Sequence, residues 1–160
     1  MSKPDPKKAV FRIATQADFD ALGTLMFQAI RTGPSPYSDA QRAAWLSVPY
    51  CGPDWHAKLA AQHVMLAECR EAIAGFMSLR PDGYLDLAFI LPQVRGAGLF
   101  RVLFSEIESH ARHAGLPRLW THASLMAQPA FAAVGFDLVQ HEVVTRAGEQ
   151  LQRAEMEKQL

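Results

Sequence analysis

Cysteine is scarce: Cys51 and Cys69 are the only two among 160 residues, and no Cys-x-x-Cys pair occurs. Two such residues do not make a disulfide scaffold, and a reducing compartment, the cytoplasm, is the expected location. Net charge is missing as well, because 16 Lys and Arg are offset by 16 Asp and Glu. A nucleic-acid binder would show a basic stripe, so no nucleic-acid partner is expected. No run of about 18 apolar residues is present, so no membrane partner is expected. The first residues, Met1 to Lys8, carry charges with no apolar stretch behind them, which is not the pattern of a signal peptide. Residues 1–9 read as a disordered tail. His110 and His113 have helical spacing but no Cys or carboxylate companions, so no metal site is expected.

What is there alternates between strand and helix. A chain of this length suggests one domain, residues 10–160, able to bury about 70% of its unfolded surface. Val10 to Ala14 reads as a strand. Thr15 and Asp18 have capping-box spacing, and Phe19, Leu22, Met26 and Ile30 mark one helical face. Gly33-Pro34-Ser35-Pro36 breaks that helix, a short helix follows from Ser38 to Leu46, and a loop runs through Pro49, Gly52 and Pro53. Trp45 and Trp55 flank this region, and the scattered methionines read as core fillers. His63 to Cys69 and Ala72 to Leu79 read as antiparallel strands about a turn at Arg70 and Glu71, and Tyr84 to Leu91 as the next strand. Leu99, Leu103, Ile107 and Ala111 form the apolar face of a long helix that Gly115 and Pro117 end. A strand from Leu119 to Ser124, a helix between Pro129 and Gly135, and a hairpin of Phe136 to Thr145 with Leu151 to Lys158 complete the chain.

The most informative stretch is Asp86 to Arg101. An apolar strand runs into Arg95-Gly96-Ala97-Gly98, and the turn opens directly onto the long helix beginning with Leu99-Phe100-Arg101. Glycines let a ligand approach the backbone, and the first turn of a helix presents N–H groups that nothing within the helix can satisfy. With the helix dipole and two guanidinium groups, this is a cradle for a doubly charged anion such as a pyrophosphate.

These residues resemble the signature of the GNAT acetyltransferase superfamily. Phe89-Ile90-Leu91-Pro92 matches its strand end, and Arg95-Gly96-Ala97-Gly98-Leu99-Phe100 matches its (Arg/Gln)-x-x-Gly-x-(Gly/Ala) loop. Phe11 to Asp18 resembles its opening strand and helix start, and Ser124 to Phe136 its late helix with the closing Gly-Phe. The resemblance implies an α/β (α+β) fold: a mixed, mostly antiparallel central sheet of roughly six to seven strands with helices on both faces. It implies acetyl-CoA as co-substrate and transfer of an acetyl group to a primary amine, by direct attack in a ternary complex. The acceptor is expected to be a small molecule, and a homodimer is possible. Two departures stand out. Phe100 replaces the usual Gly or Ala, and Phe131 replaces a Tyr that in many members protonates the leaving thiolate. They favour the alternative, an acyl-CoA-binding regulatory or partner subunit without chemistry.

Candidate site residues follow from both lines of reading. The resemblance gives the acyl-CoA contacts as the main chain of Phe89 and Ile90, the loop residues Arg95, Gly96, Ala97, Gly98, Leu99, Phe100 and Arg101, then Ser124 and Phe131. By strand alternation Leu85, Leu87, Phe89 and Leu91 are core beneath the long helix, and Tyr84, Asp86, Ala88 and Ile90 face the other way. A carboxylate in so apolar a strand is expensive to bury unless paired. Asp86 is therefore either a general base or a structural group held by an Arg or a loop. Trp120, His122 and Ser124 share a strand face; His122 can shuttle protons near neutral pH, and Tyr84 can supply one. Tyr37 and Ser38 resemble the segment that walls the acceptor pocket, the alternative being a loop anchor and a helix cap.

Overall fold

A computed structural model describes residues 8–160, so most of the expected tail, residues 1–7, lies outside the described residues. The elements are β1 (Val10–Ile13), a 3₁₀ turn, α1 (Phe19–Arg31), α2 (Asp39–Trp45), α3 (Gly52–Ala60), β2 (His63–Cys69), β3 (Ala72–Leu79), β4 (Leu85–Ile90), a second 3₁₀ turn, α4 (Leu99–His113), β5 (Arg118–Ser124), α5 (Gln128–Ala133), β6 (Asp137–Arg146) and β7 (Glu149–Gln159). Helix α3 occupies much of what reads as loop in the sequence. Pro53 sits in its first turn, Trp55 and Leu59 turn inward, and the Trp55 indole N–H donates to Phe19 O at 2.6 Å.

The seven strands form two antiparallel sheets, ordered β1-β2-β3-β4 and β5-β7-β6. A narrow seam joins them. Tyr84 and Trp120 form one parallel bridge, Trp120 N–H donates to Gly83 O at 3.1 Å, and Thr121 Oγ1 donates to Leu85 O at 2.8 Å. Beyond it β4 and β5, which run side by side, belong to separate sheets. Their carboxyl ends diverge and leave a cleft where a strand would otherwise pair.

Helices cover both faces of the four-stranded sheet. Leu99, Leu103, Ile107 and Ala111 of α4 pack with Met65, Met77 and Leu79 on one face. Leu22 and Met26 of α1, with Trp55 and Leu59 of α3, pack with Leu66, Phe76 and Leu87 on the other. Strand β4 departs from simple alternation. Leu85 packs on the α4 side together with Ala88 and Ile90, whereas Leu87, Phe89 and Leu91 pack on the α1 side. The cause is a register shift: Ser78 pairs with Leu87 and Leu79 with Leu85, so Asp86 is the extra residue of a bulge. A bulge re-aims side chains locally, which reverses the expected face for most of the strand.

Candidate active site

Two cavities meet in the cleft between β4 and β5. The larger, about 370 Å³, is bounded by α1, the end of β4, the start of α4 and α5. The smaller, about 250 Å³, lies toward α3 and the β6–β7 hairpin. Tyr37, Trp45, Ala88, Phe89, Ser124 and Ala127 border both, so the cavities share a wall at the point where the strands part.

The larger cavity contains the loop cradle. Gly96 and Gly98 have φ of 77° and 85°, the left-handed region that favours glycine. Gly98 is the N-cap of α4. Among the described residues, no main-chain N–H from Gly96 through Arg101 donates a hydrogen bond within the chain. These amides are consecutive and stand at the positive end of a 15-residue helix. Gly96, Gly98, Leu99, Phe100 and Arg101 all line the cavity, and Ala97 does not. Leu99 buries its side chain in the core, so what it offers the cavity is main chain.

The two arginines have different roles. Arg101 is exposed and makes no hydrogen bond or ion pair with the described residues. Arg95 folds inward instead. Its Nε donates to Ile90 O at 3.2 Å and its Nη2 to Ala29 O at 3.0 Å. Burial, and then the nearby Arg42 charge, push its guanidinium below the ordinary value. Arg42, itself buried, donates to Ile30 O, Thr32 O and Gly33 O, so the pair neutralises the carbonyl end of α1.

Phe89 and Ile90 both border the larger cavity, but their main chains face opposite ways. Leu91 N–H donates to Ala74 O at 2.9 Å, so the alternate residue Phe89 also turns its main chain toward β3. Its carbonyl lies 2.9 Å from where a Cβ on Gly75 would stand, which agrees. Ala88 and Ile90 therefore turn their main chains toward the cleft, where the Ile90 carbonyl is already taken by Arg95, and the expectation for Phe89 is corrected by one residue.

The smaller cavity brings together Tyr84, Asp86 and His122. Tyr84 Oη is 2.8 Å from His122 Nδ1, and His122 Nε2 is 3.8 Å from Glu142 Oε2. Arg153 Nε donates to that same Glu142 oxygen at 3.0 Å and, as the leading cause, holds the Glu142 carboxyl below its ordinary value. Burial pushes the Tyr84 phenol above its ordinary value, with the Asp86 charge adding to it. Asp86 has the partners of the structural alternative. Gln62 Nε2 donates to it at 2.9 Å, and Lys58 Nζ and Arg80 Nη2 lie at 3.4 and 3.7 Å.

Tyr37 borders both cavities, yet its hydroxyl is fully engaged: it donates to Gln152 O at 2.5 Å and accepts from Leu125 N–H at 2.9 Å. Ser38 borders neither. Its hydroxyl accepts from Gln41 N–H at 3.1 Å as the cap of α2, and the pocket expectation gives way to the capping one. Ser124 Oγ accepts from Ala127 N–H at 3.2 Å and keeps its own hydrogen for the shared wall. Phe131 borders the smaller cavity rather than the larger and is only 2% exposed. Its ring meets those of Phe100 and Phe136 edge-on at 5.1 and 5.0 Å.

Glu142, Arg153, Lys58 and Gln62 were not among the sequence candidates. Counting outward from the tight turn at Ala147-Gly148 places Glu142 opposite Arg153, so that pair was open to discovery. Lys58 and Gln62 reach Asp86 only through α3 and the loop after it.

A diverging parallel strand pair, an amide cradle on one side and titratable groups on the other define a two-substrate transferase cleft for a long anionic donor. Residues 36–160 match the family model for an acetyltransferase (GNAT) domain, and the chain belongs to that family of N-acetyltransferases. Its acyl donor is acetyl-CoA, and the unpaired amides with Arg101 fit that molecule's phosphates. A GCN5-related N-acetyltransferase of Rhodopseudomonas palustris has the same fold with a TM-score of 0.83 at 27% identity, over 100% of this chain and 98% of that one. An acetyltransferase of Salmonella typhimurium solved with acetyl-CoA aligns with a TM-score of 0.68 at 19% identity, over 95% and 94%. A ribosomal-protein-alanine N-acetyltransferase of Brucella melitensis aligns with 0.69 at 21%, over 94% and 99%. Likeness at these last two identities concerns fold. No curated protein matches the sequence significantly. Among the described residues no group of three metal-ligating side chains occurs, and no helix is long and apolar enough to cross a membrane.

Proposed function

We propose that this acetyltransferase acts on the primary amine of a small molecule, which enters the smaller cavity and attacks the acetyl group directly. The observation that carries the reading is the shared wall: the cavity with the amide cradle and the cavity holding Tyr84 and His122 are both bordered by Ala88, Phe89 and Ser124. Neither cysteine borders either cavity, which supports direct attack over an acetyl-cysteine enzyme. Two free thiols also suit a cytoplasmic location. About 250 Å³ is near the lower edge of the ~300–1,000 Å³ typical of small-molecule sites, which favours a compact acceptor.

Acetyl-CoA supplies an activated acyl group on a thioester; the chain's own residues handle protons and position. An alkylamine has a pKa of about 10.4 and arrives protonated. The tautomer of His122 with hydrogen on Nε2, toward Glu142, leaves Nδ1 to accept from the Tyr84 hydroxyl. Tyr84 then takes the ammonium proton as its own passes to His122 Nδ1, and Glu142 faces the imidazolium so formed. Burial keeps the phenol neutral, which suits a relay. As nitrogen bonds to the acetyl carbon, the carbon–sulfur bond breaks. A thiol of pKa about 8.5 leaves with little acid assistance, and the hydrogen of Ser124 is the one on the shared wall available to it. Phe131 therefore need not be replaced for turnover.

The test is thiol release from acetyl-CoA with a panel of primary amines, with initial rates over both substrates. Intersecting patterns and acetylated product support the reading. Tight acetyl-CoA binding with no turnover of any amine would leave the regulatory-subunit alternative.

A further inference from the structure

The charged lining of the acceptor cavity is unbalanced. Lys58, Arg146 and Arg153 border it, and among the described residues Asp86 is the one carboxylate that does. Asp86 is already matched by Lys58 at 3.4 Å and by Arg80 at 3.7 Å. Arg153 gives its Nε to Glu142, and its two Nη groups make no hydrogen bond with the described residues. The Arg146 side chain has no hydrogen bond or ion pair among them at all. Glu149 stands opposite it in register but does not come within ion-pair distance.

The register places these groups. Ser124 pairs with Arg153, Glu142 faces Arg153 across the hairpin, and Arg146 lies four residues further along β6 on the same face, about 13 Å by strand rise. Both cations border this one cavity, Arg153 beside the wall where the amine must react and Arg146 further along the same strand face. A bare alkylammonium is poorly suited to such surroundings, because like charges disfavour it. A guanidinium with its terminal nitrogens free is suited to a carboxylate, which it can grip with two parallel hydrogen bonds.

Building on the acceptor reading above, we infer that the substrate carries a carboxylate beside its amine, an amino-acid-like zwitterion, held by the free ends of Arg153 and by Arg146. The carboxylate offsets the cations, and the amine is left to face Tyr84 and the shared wall.

The probes are triplets that differ at one group: methionine, methioninamide and 3-(methylthio)propylamine, with the same series built on phenylalanine. The free acid is expected to exceed both partners about tenfold or more in kcat/KM, the scale of a charge-assisted hydrogen bond. Arg146→Ala should raise KM for the acid several-fold, leave acetyl-CoA affinity unchanged, and raise rather than lower kcat/KM for the decarboxylated amine, which loses a like charge. Equal use of acid, amide and amine would overturn the inference and leave the amine reading standing. If no amine is turned over, the amine reading fails and binding decides. N-acetylmethionine and N-acetylmethioninamide are then titrated calorimetrically into the CoA-loaded protein. Preference for the acid that Arg146→Ala abolishes supports the carboxylate site; equal or absent binding overturns it.

Discussion

Tyr84 Oη lies 2.8 Å from His122 Nδ1, across the seam where β4 and β5 are still joined. A relay through this contact predicts that His122→Gln and Tyr84→Phe lower kcat while acetyl-CoA affinity stays within a few-fold. A base of ordinary strength contributes about 10²–10⁴-fold, which sets the expected loss. Because burial raises the Tyr84 phenol above 10.0, its ionisation should produce no alkaline limb below that pH. The pH–rate profiles of the two variants with one good acceptor check both statements. Parental rates in both would return proton removal to ordered water.

Asp86→Asn should behave differently. It removes the negative partner of Lys58 and Arg80, so the expected effect is a stability loss of about 1 kcal/mol, kept small because both cations reach solvent. The acidic limb of the rate profile should survive in this variant. Its disappearance would make Asp86 the base after all.

Gly98→Glu should abolish acetyl-CoA binding. It places a carboxylate among amides that otherwise have no partner, at a φ of 85°. Gly98→Asn tolerates that backbone region without adding charge and should lose less. Calorimetry with acetyl-CoA and circular dichroism of both variants separate lost binding from lost fold.

Arg101→Ala and Arg95→Ala should part company. The first should weaken CoA binding by about 1–3 kcal/mol with no change in Tm. The second leaves the Ile90 and Ala29 carbonyls without their donor and should lower stability by about 1–3 kcal/mol. Comparing CoA with dephospho-CoA on Arg101→Ala tells whether the 3′-phosphate is the contacted group.

Acid stability rests partly on Asp18. Hydrogen bonds from Arg12 Nη1 and Nη2, both 2.8 Å, lower its pKa from 3.8 to about 2. A carboxyl depressed on folding stabilises fully above its unfolded pKa, and the gain is lost as pH falls through about 4 toward 2. Asp18→Asn should therefore melt lower than the parent at neutral pH, and the difference should close in that acidic window.

Much of the fold was legible because its signals are local. The limits of β2 and β3, the turn between them and the apolar face of α4 follow from alternation, turn chemistry and period. Helix α3 escaped because Pro49, Gly52 and Pro53 mask an inward face of only Trp55 and Leu59. The face of β4 is not legible in the sequence because a bulge at Asp86 depends on how β3 is paired, which a single strand does not encode. The unpaired amides of the loop were legible because they need only glycine spacing and a helix start. The partners of Asp86 and the inward fold of Arg95 were not, since Lys58, Gln62 and Ala29 come from distant segments.

Phe100 and Phe131, the two positions that break the family pattern, touch each other edge-on at 5.1 Å. They are thus one departure in two places. A tyrosine at position 131 would carry its hydroxyl into surroundings that are now 2% exposed and filled by the rings of Phe100 and Phe136. Restoring the family's acid by Phe131→Tyr alone should then gain no rate, while pairing it with Phe100→Gly opens room for the hydroxyl to point toward the larger cavity. The two substitutions should be strongly non-additive, and an engineer seeking a faster enzyme would have to move both residues at once.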